Sequence, residues 1–260
     1  MLFKEFGEPG RPAVFLLHGG GLSWWATEEA IGLFSPKYRV VAPVIDGHGE
    51  DGARDFLSIE DSAARLIAYI DERCGGRAFL IAGLSLGAQI VAEALSHRGG
   101  IADYAVIESA LVIPLKALTS ITAPVNRAFY GLIQKHWYAR IQAKTLMLPD
   151  CMFERYYEDS LHISRQTLVN IGLSNGNYAL KLAIRDASAR VLVVVGEKEL
   201  GVMRSSARLL HETIGGSELI VADGLRHGEF SLRHPDDYQR RVEEFIGTHE
   251  KRGPARSPVE

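Results

Sequence analysis

The chain has 260 residues, of which 47% are hydrophobic and 23% charged, and its formal net charge is −3. This balance is that of an ordinary globular protein and excludes a disordered, collagen-like or disulfide-scaffold chain. A charge so near neutrality supplies no electrostatic reason to bind nucleic acid or an anionic membrane.

The length fits one α/β domain carrying an insertion. The first ten residues do not read as a secretory signal. No run of ~18 or more uncharged apolar residues offers a membrane span. Cys74 and Cys151, the only two cysteines, make no disulfide framework and suit a reducing compartment. The expectation is a cytoplasmic protein that takes a small-molecule substrate, with no nucleic-acid or membrane partner and with a homodimer left open.

The first predicted strand is 13–17, a continuous apolar run closed by His18-Gly19-Gly20-Gly21. The second is 39–45, closed by Asp46-Gly47-His48-Gly49. Ser58-Ile59-Glu60-Asp61 resembles a capping box and opens a helix with Ala63, Leu66, Ile67 and Ile70 on one face, which stops near Gly75-Gly76. A third strand, 78–82, runs into Gly83-Leu84-Ser85-Leu86-Gly87 and an alanine- and leucine-rich helix over 86–97. A fourth strand follows at 104–107. From 111 to 187 no strand pattern occurs, only helix-like segments with many aromatics, too long for a single crossover. The alternation resumes with a strand at 191–195, a helix at 205–214 and a weaker strand at 217–221. It ends with a helix at 236–246 that carries Tyr238, Val242, Phe245 and Ile246 on one face. The tail, 251–260, has the composition of a disordered segment.

Nearly continuous Val/Ile/Leu strands alternating with helices predict a mostly parallel central sheet covered by helices on both faces. The core is expected at 1–110 and 188–250, with 111–187 a helical cap insertion over one end of the sheet, where open α/β sheets bind their ligands.

Gly83-Leu84-Ser85-Leu86-Gly87 lies between a predicted strand and a predicted helix. In that setting Gly-x-Ser-x-Gly is a nucleophile elbow. The chain turns sharply, the serine is strained clear of the backbone, and small neighbours let strand and helix approach. The alternative is a glycine-rich turn with an incidental serine. The sequence resembles the α/β-hydrolase family over residues 13–110 and 190–246, with His18-Gly19-Gly20-Gly21 at the position of that family's oxyanion loop and Gly47-His48-Gly49 matching a turn common in it.

The resemblance implies a serine nucleophile, Ser85, with a carboxylate and then a histidine base following in that order. Of nine histidines, His18 and His48 belong to the two turns, and His97, His211 and His234 lie in or beside helices. His249 is near the tail, and His136 and His162 fall in the insertion. His227, in Gly224-Leu225-Arg226-His227-Gly228 past the last strand, stands where the family has its base. The acid is expected at Glu199, in Gly196-Glu197-Lys198-Glu199. Glu108, closing the strand at 104–107, and Glu197 remain rivals. The amides of Gly20 and Leu86 are expected to form the oxyanion hole. Trp24, Trp25, Phe129, Tyr130 and Trp137 are candidates to contact substrate, packing being the competing role. Arg127, Lys135, Arg140 and Lys144 form no obvious anion site in sequence but could converge in space. No Cys/His cluster has metal-ligand spacing and no phosphate loop follows the glycines, so neither a metal nor an organic cofactor is expected.

The expected activity is hydrolysis of a small, fairly apolar carboxylic ester, with thioesters, lactones and C–C bonds open to the same triad. A lyase or a non-catalytic ligand-binding protein on the same fold are the other classes. An aspartate-nucleophile hydrolase is disfavoured by serine at 85.

Overall fold

The computed structural model describes residues 1–250, side chains at 117–121 and 249–250 excepted. The tail expected to be disordered lies outside the described residues. Seven strands form one sheet in the order β1-β3-β2-β4-β5-β6-β7. They are β1 (Leu2–Phe6), β2 (Ala13–Leu17), β3 (Arg39–Val44), β4 (Ala78–Leu84), β5 (Ala102–Glu108), β6 (Arg190–Gly196) and β7 (Glu218–Ala222). All neighbouring pairs are parallel except β1–β3, which is antiparallel. The α-helices are α1 (Glu28–Phe34), α2 (Ile59–Cys74), α3 (Leu86–His97), α4 (Lys116–Ile133), α5 (His136–Thr145), α6 (Phe153–Ser160), α7 (Arg165–Asn177), α8 (Gly201–Thr213), α9 (Glu229–Arg233) and α10 (Pro235–Glu250).

The continuous apolar runs are explained by what covers each face. Successive side chains of a strand point to opposite sides. Phe15 and Leu17 of β2 therefore join one cluster with Leu66 and Ile70 of α2, Ile90 of α3 and Leu210 of α8. Val14 and Leu16 join another with Ile31 and Phe34 of α1 and with Tyr238, Val242 and Phe245 of α10. A strand buried on both faces has no polar position to spare, so it reads as a block of Val, Ile, Leu and Ala.

The helix boundaries follow local chemistry. Asp61 N–H donates to the Ser58 hydroxyl at 3.1 Å, capping α2, and Gly75 ends that helix in the left-handed conformation. The strand β1 was not foreseen. It is a half-exposed edge strand, Leu-Phe-Lys-Glu-Phe, whose charged residues hide its pairing with β3.

Chain order reverses beside β2: β3 lies on one side of it and β4 on the other. Such a switch point opens a crevice at the carboxyl ends of β2 and β4. The register pairs Leu17 with Gly83, so His18-Gly19-Gly20 and Ser85 leave the sheet side by side.

Between β5 and β6 the chain forms α4, α5, α6 and α7 and no strand. This helical insertion sits over the same end of the sheet. Ala139 and Ala143 of α5 and Phe153 and Tyr156 of α6 share an apolar cluster with Leu22, Trp25, Leu84 and Leu232. Polar contacts fasten α7 to the loop before α2. The Thr167 hydroxyl accepts from Phe56 N–H at 3.1 Å, and Asn170 Nδ2 donates to Phe56 O at 2.7 Å. Among the described residues no helix is long and apolar enough to cross a membrane.

Candidate active site

Ser85 stands at the Ncap position of α3 with φ 53° and ψ −111°, a left-handed-side conformation that a side chain seldom adopts. Glycine on either side makes the bend feasible. A Cβ on Gly83 would lie 2.4 Å from Gly87 C, and one on Gly87 would lie 2.6 Å from both Leu17 O and His18 O. The strand, the helix and the end of β2 pack too closely there for any side chain. Ser85 N–H donates to Glu108 O at 2.9 Å, which ties the bend to the end of β5.

His227 arrives from the turn after β7. Its loop crosses Gly196, where a Cβ would meet Leu225 O at 2.5 Å and Arg226 O at 2.7 Å, so only glycine permits the crossing. His227 Nε2 lies 3.0 Å from Ser85 Oγ, and Nδ1 lies 2.8 Å from Glu199 Oε2. An ionised carboxylate can only accept, so the proton sits on Nδ1 and Nε2 is left to accept from the serine hydroxyl.

Glu199 is buried. Its Oε1 accepts from Gly196 N–H and from the Ser109 hydroxyl, both at 2.7 Å. Burial pushes its pKa up, but the hydrogen bonds from His227, Gly196 and Ser109, with the charge of His227, outweigh burial. The carboxyl is held below its ordinary range and stays ionised. Ser109 escaped the sequence reading. It lies directly after β5 with φ 56°, and besides Glu199 it accepts from Gly228 N–H at 3.4 Å. No motif marks it. Only the register that sets β5 beside β6 brings it to the carboxylate.

The rival carboxylates have other partners. Glu197 accepts from Gly224 N–H at 2.8 Å. Glu108 is fully buried, with its Oε1 accepting from Ser231 N–H at 3.2 Å. A cavity of about 20 Å³ beside it is lined by Leu16, Leu17, Leu84 and Tyr238 among others. Burial in that apolar setting is the main reason its pKa rises to about 7; the Ser231 hydrogen bonding opposes the rise and the Glu199 charge adds to it.

A stability prediction follows for Glu108. With a folded-state pKa near 7 against 4.5, the folded chain binds a proton that the unfolded chain has released between those values. Stability from this group is full below pH ~4.5 and is lost as pH rises toward and through ~7, on the order of 3 kcal/mol. Urea unfolding across that range should show the wild type losing this much more than Glu108→Gln. Parallel pH profiles for the two proteins would contradict it.

His18 and His48 serve loop geometry. Ile45 N–H donates to His18 Nε2 at 3.1 Å, and Nδ1 faces Gly19 O at 2.8 Å, so the ring is neutral. Burial first, then the neighbouring His48, lowers its pKa to about 3. This holds the turn in which Gly19 and Gly20 reach Ser85 and Leu86. A Cβ on Gly19 would lie 3.6 Å from Ser85 Cβ, and one on Gly20 3.5 Å from Leu86 Cδ2. Gly20 and Leu86 therefore flank the serine, at the N-terminal end of α3, where backbone amides favour negative charge.

The five aromatics considered for substrate contact fall into different places. Trp25 is buried and donates from Nε1 to Asp159 at 2.6 Å, joining core to insertion. Trp24 packs against Phe6, and the Tyr130 hydroxyl donates to Ile163 O at 2.8 Å. Phe129 and Trp137 are more than half exposed, which their helical spacing alone could not reveal. Arg127, Lys135, Arg140 and Lys144 are likewise exposed, and among the described residues the only ion pair any of them makes is Arg140 with Glu154 at 3.9 Å.

Comparison with known proteins agrees with the fold described above. The model of the "Alpha/beta hydrolase family" matches residues 14–241. A protein of Gibberella zeae described as "AB hydrolase superfamily protein" is 25% identical over 96% of this chain and 85% of its own length. Among solved structures, a thermophilic esterase from Thermogutta terrifontis superposes with a TM-score of 0.76 at 15% identity, over 95% of this chain and 93% of that one. An enol-lactonase from Burkholderia xenovorans LB400 does so with 0.76 at 15% identity, over 95% and 96%. At these identities the structural likenesses carry the fold.

Proposed function

Since this chain belongs to the alpha/beta hydrolase family, we propose that it is a serine hydrolase that cleaves a small, fairly apolar carboxylic ester through an acyl-enzyme. The observation that carries this reading is the unbroken series Ser85 Oγ–His227 Nε2 at 3.0 Å and His227 Nδ1–Glu199 Oε2 at 2.8 Å.

In the proposed cycle, His227 Nε2 takes the Ser85 proton as Oγ attacks the carbonyl carbon. Glu199 holds the imidazole in the accepting tautomer and stabilises the imidazolium. The tetrahedral oxyanion lies between the Gly20 and Leu86 amides, each such donor contributing roughly 2.7–4 kcal/mol to the transition state. His227 returns the proton to the leaving alkoxide oxygen as the C–O bond breaks. It then deprotonates a water that attacks the acyl carbon, and Ser85 regains its proton as the acid departs. An apolar acyl group suits the apolar surroundings of Ser85, whose neighbour Leu84 packs with Leu22, Trp25, Phe153 and Leu232.

A panel of p-nitrophenyl esters of increasing acyl length, with a lactone as a further substrate, tests the reading on wild type and Ser85→Ala. Turnover that depends on Ser85 and varies with acyl length is expected. A panel with no turnover, or one that the variant hydrolyses equally well, would overturn it.

A further inference from the structure

Between Glu108 and Asp150 the chain contains no acidic residue but five basic ones, Lys116, Arg127, Lys135, Arg140 and Lys144. The net charge of −3 conceals this segregation. It falls on α4, α5 and the short turn between them, where Lys135 stands. Arg127, Lys135 and Lys144 are exposed and, among the described residues, enter no ion pair. The same helices expose large apolar side chains in pairs one turn apart: Val125 (44%) and Phe129 (53%) on α4, and Trp137 (58%) and Ile141 (56%) on α5. The other side of α5 is buried, with Ala139 and Ala143 in the cluster that includes Leu84, the residue before Ser85. One face of α5 thus looks inward to the candidate site, and the opposite face presents Trp137, Ile141 and, one turn on, Lys144.

We propose that this outer face docks on an anionic lipid surface. Trp137 and Ile141 enter the headgroup–acyl boundary while Lys144 on the same face meets lipid phosphate, and the exposed Arg127 and Lys135 of the same insertion add to the attraction, the combination that holds amphipathic helices at an interface. The charge pattern favours lipid over a second copy of the chain. A two-fold contact through this face would set like charges against each other. A flat anionic layer accepts both the cations and the aliphatic side chains. Whole-chain charge gave no reason to expect a membrane, and the local distribution supplies one. Docking is independent of the chemistry assigned to Ser85; if both hold, an apolar ester reaches the site from the lipid side.

The test is co-sedimentation of the full chain with vesicles of equal parts phosphatidylcholine and phosphatidylglycerol, against vesicles of phosphatidylcholine alone. Binding to the anionic vesicles that falls as salt is raised is expected. The combined variant Arg127→Gln, Lys135→Gln, Lys144→Gln should bind them roughly a hundredfold more weakly, and Trp137→Ser should also weaken binding. All sites are exposed, and an unchanged circular dichroism spectrum confirms the fold of each variant. Absence of binding, equal binding to both vesicle types, or binding unaffected by the combined variant would overturn the proposal. Self-association in lipid-free buffer that the combined variant abolishes would assign the face to another copy instead.

Discussion

Replacing Ser85 by alanine is expected to lower kcat on p-nitrophenyl esters by roughly 10⁴- to 10⁶-fold and to leave the melting temperature almost unchanged. The loss is large because the attacking atom is removed, while the oxyanion donors alone retain only a residual acceleration over water. Stability should hold for two reasons. The hydroxyl's described hydrogen bond is the one to His227 Nε2, and that imidazole is partly exposed. The strain of φ 53° is borne by alanine as by serine, since both carry a Cβ. Steady-state kinetics and a thermal melt on the purified variant check both halves. Hydrolysis at the wild-type rate would place the chemistry elsewhere.

The second large effect concerns the carboxylate. Glu199→Gln should lower kcat roughly 10³- to 10⁴-fold. The Oε1 position of residue 199 receives two donors, Gly196 N–H and the Ser109 hydroxyl, at 2.7 Å each. In a glutamine the amide oxygen must take that place, so the NH₂ group faces His227 Nδ1. Nδ1 then accepts, the proton moves to Nε2, and the imidazole points a donor at Ser85 instead of an acceptor. Glu108→Gln should change kcat only a few-fold, because its carboxyl meets Ser231 N–H. Measured side by side, the reverse ranking would transfer the acid role from the end of β6 to the end of β5.

The comparison of these two glutamates also shows where sequence reading stops. Each closes or follows a parallel strand, and both are buried carboxyl side chains of the same length. Pattern alone could not tell which reaches His227. The answer depends on how the Gly196–Glu199 turn folds back on itself, through Glu199 N–H to Gly196 O at 3.2 Å. By contrast, the elbow was legible because its parts are local: strand, glycine, serine, glycine and helix are consecutive, and the clash distances at Gly83 and Gly87 explain why no other residue serves. The central strands were legible because burial on both faces writes itself as an unbroken apolar run. The edge strand β1 has one exposed side and charged residues, so its signal was lost. Ser109 was invisible for a different reason. Its partner is 90 positions away, and a lone serine after a strand has no signature. The aromatics of the insertion marked helices but not which side of each helix meets the core, and Phe129 and Trp137 fell on the outside.

The most direct test of the account is to identify the atom that receives the acyl group. The chain is mixed with p-nitrophenyl acetate, quenched in acid during turnover and digested, and the peptides are weighed. The activated leaving group makes acylation fast, so the acyl-enzyme should accumulate. The expected result is one acetyl group on the peptide containing Ser85, absent from the Ser85→Ala protein. Turnover with acetyl on a different residue, or with none on any, would contradict it.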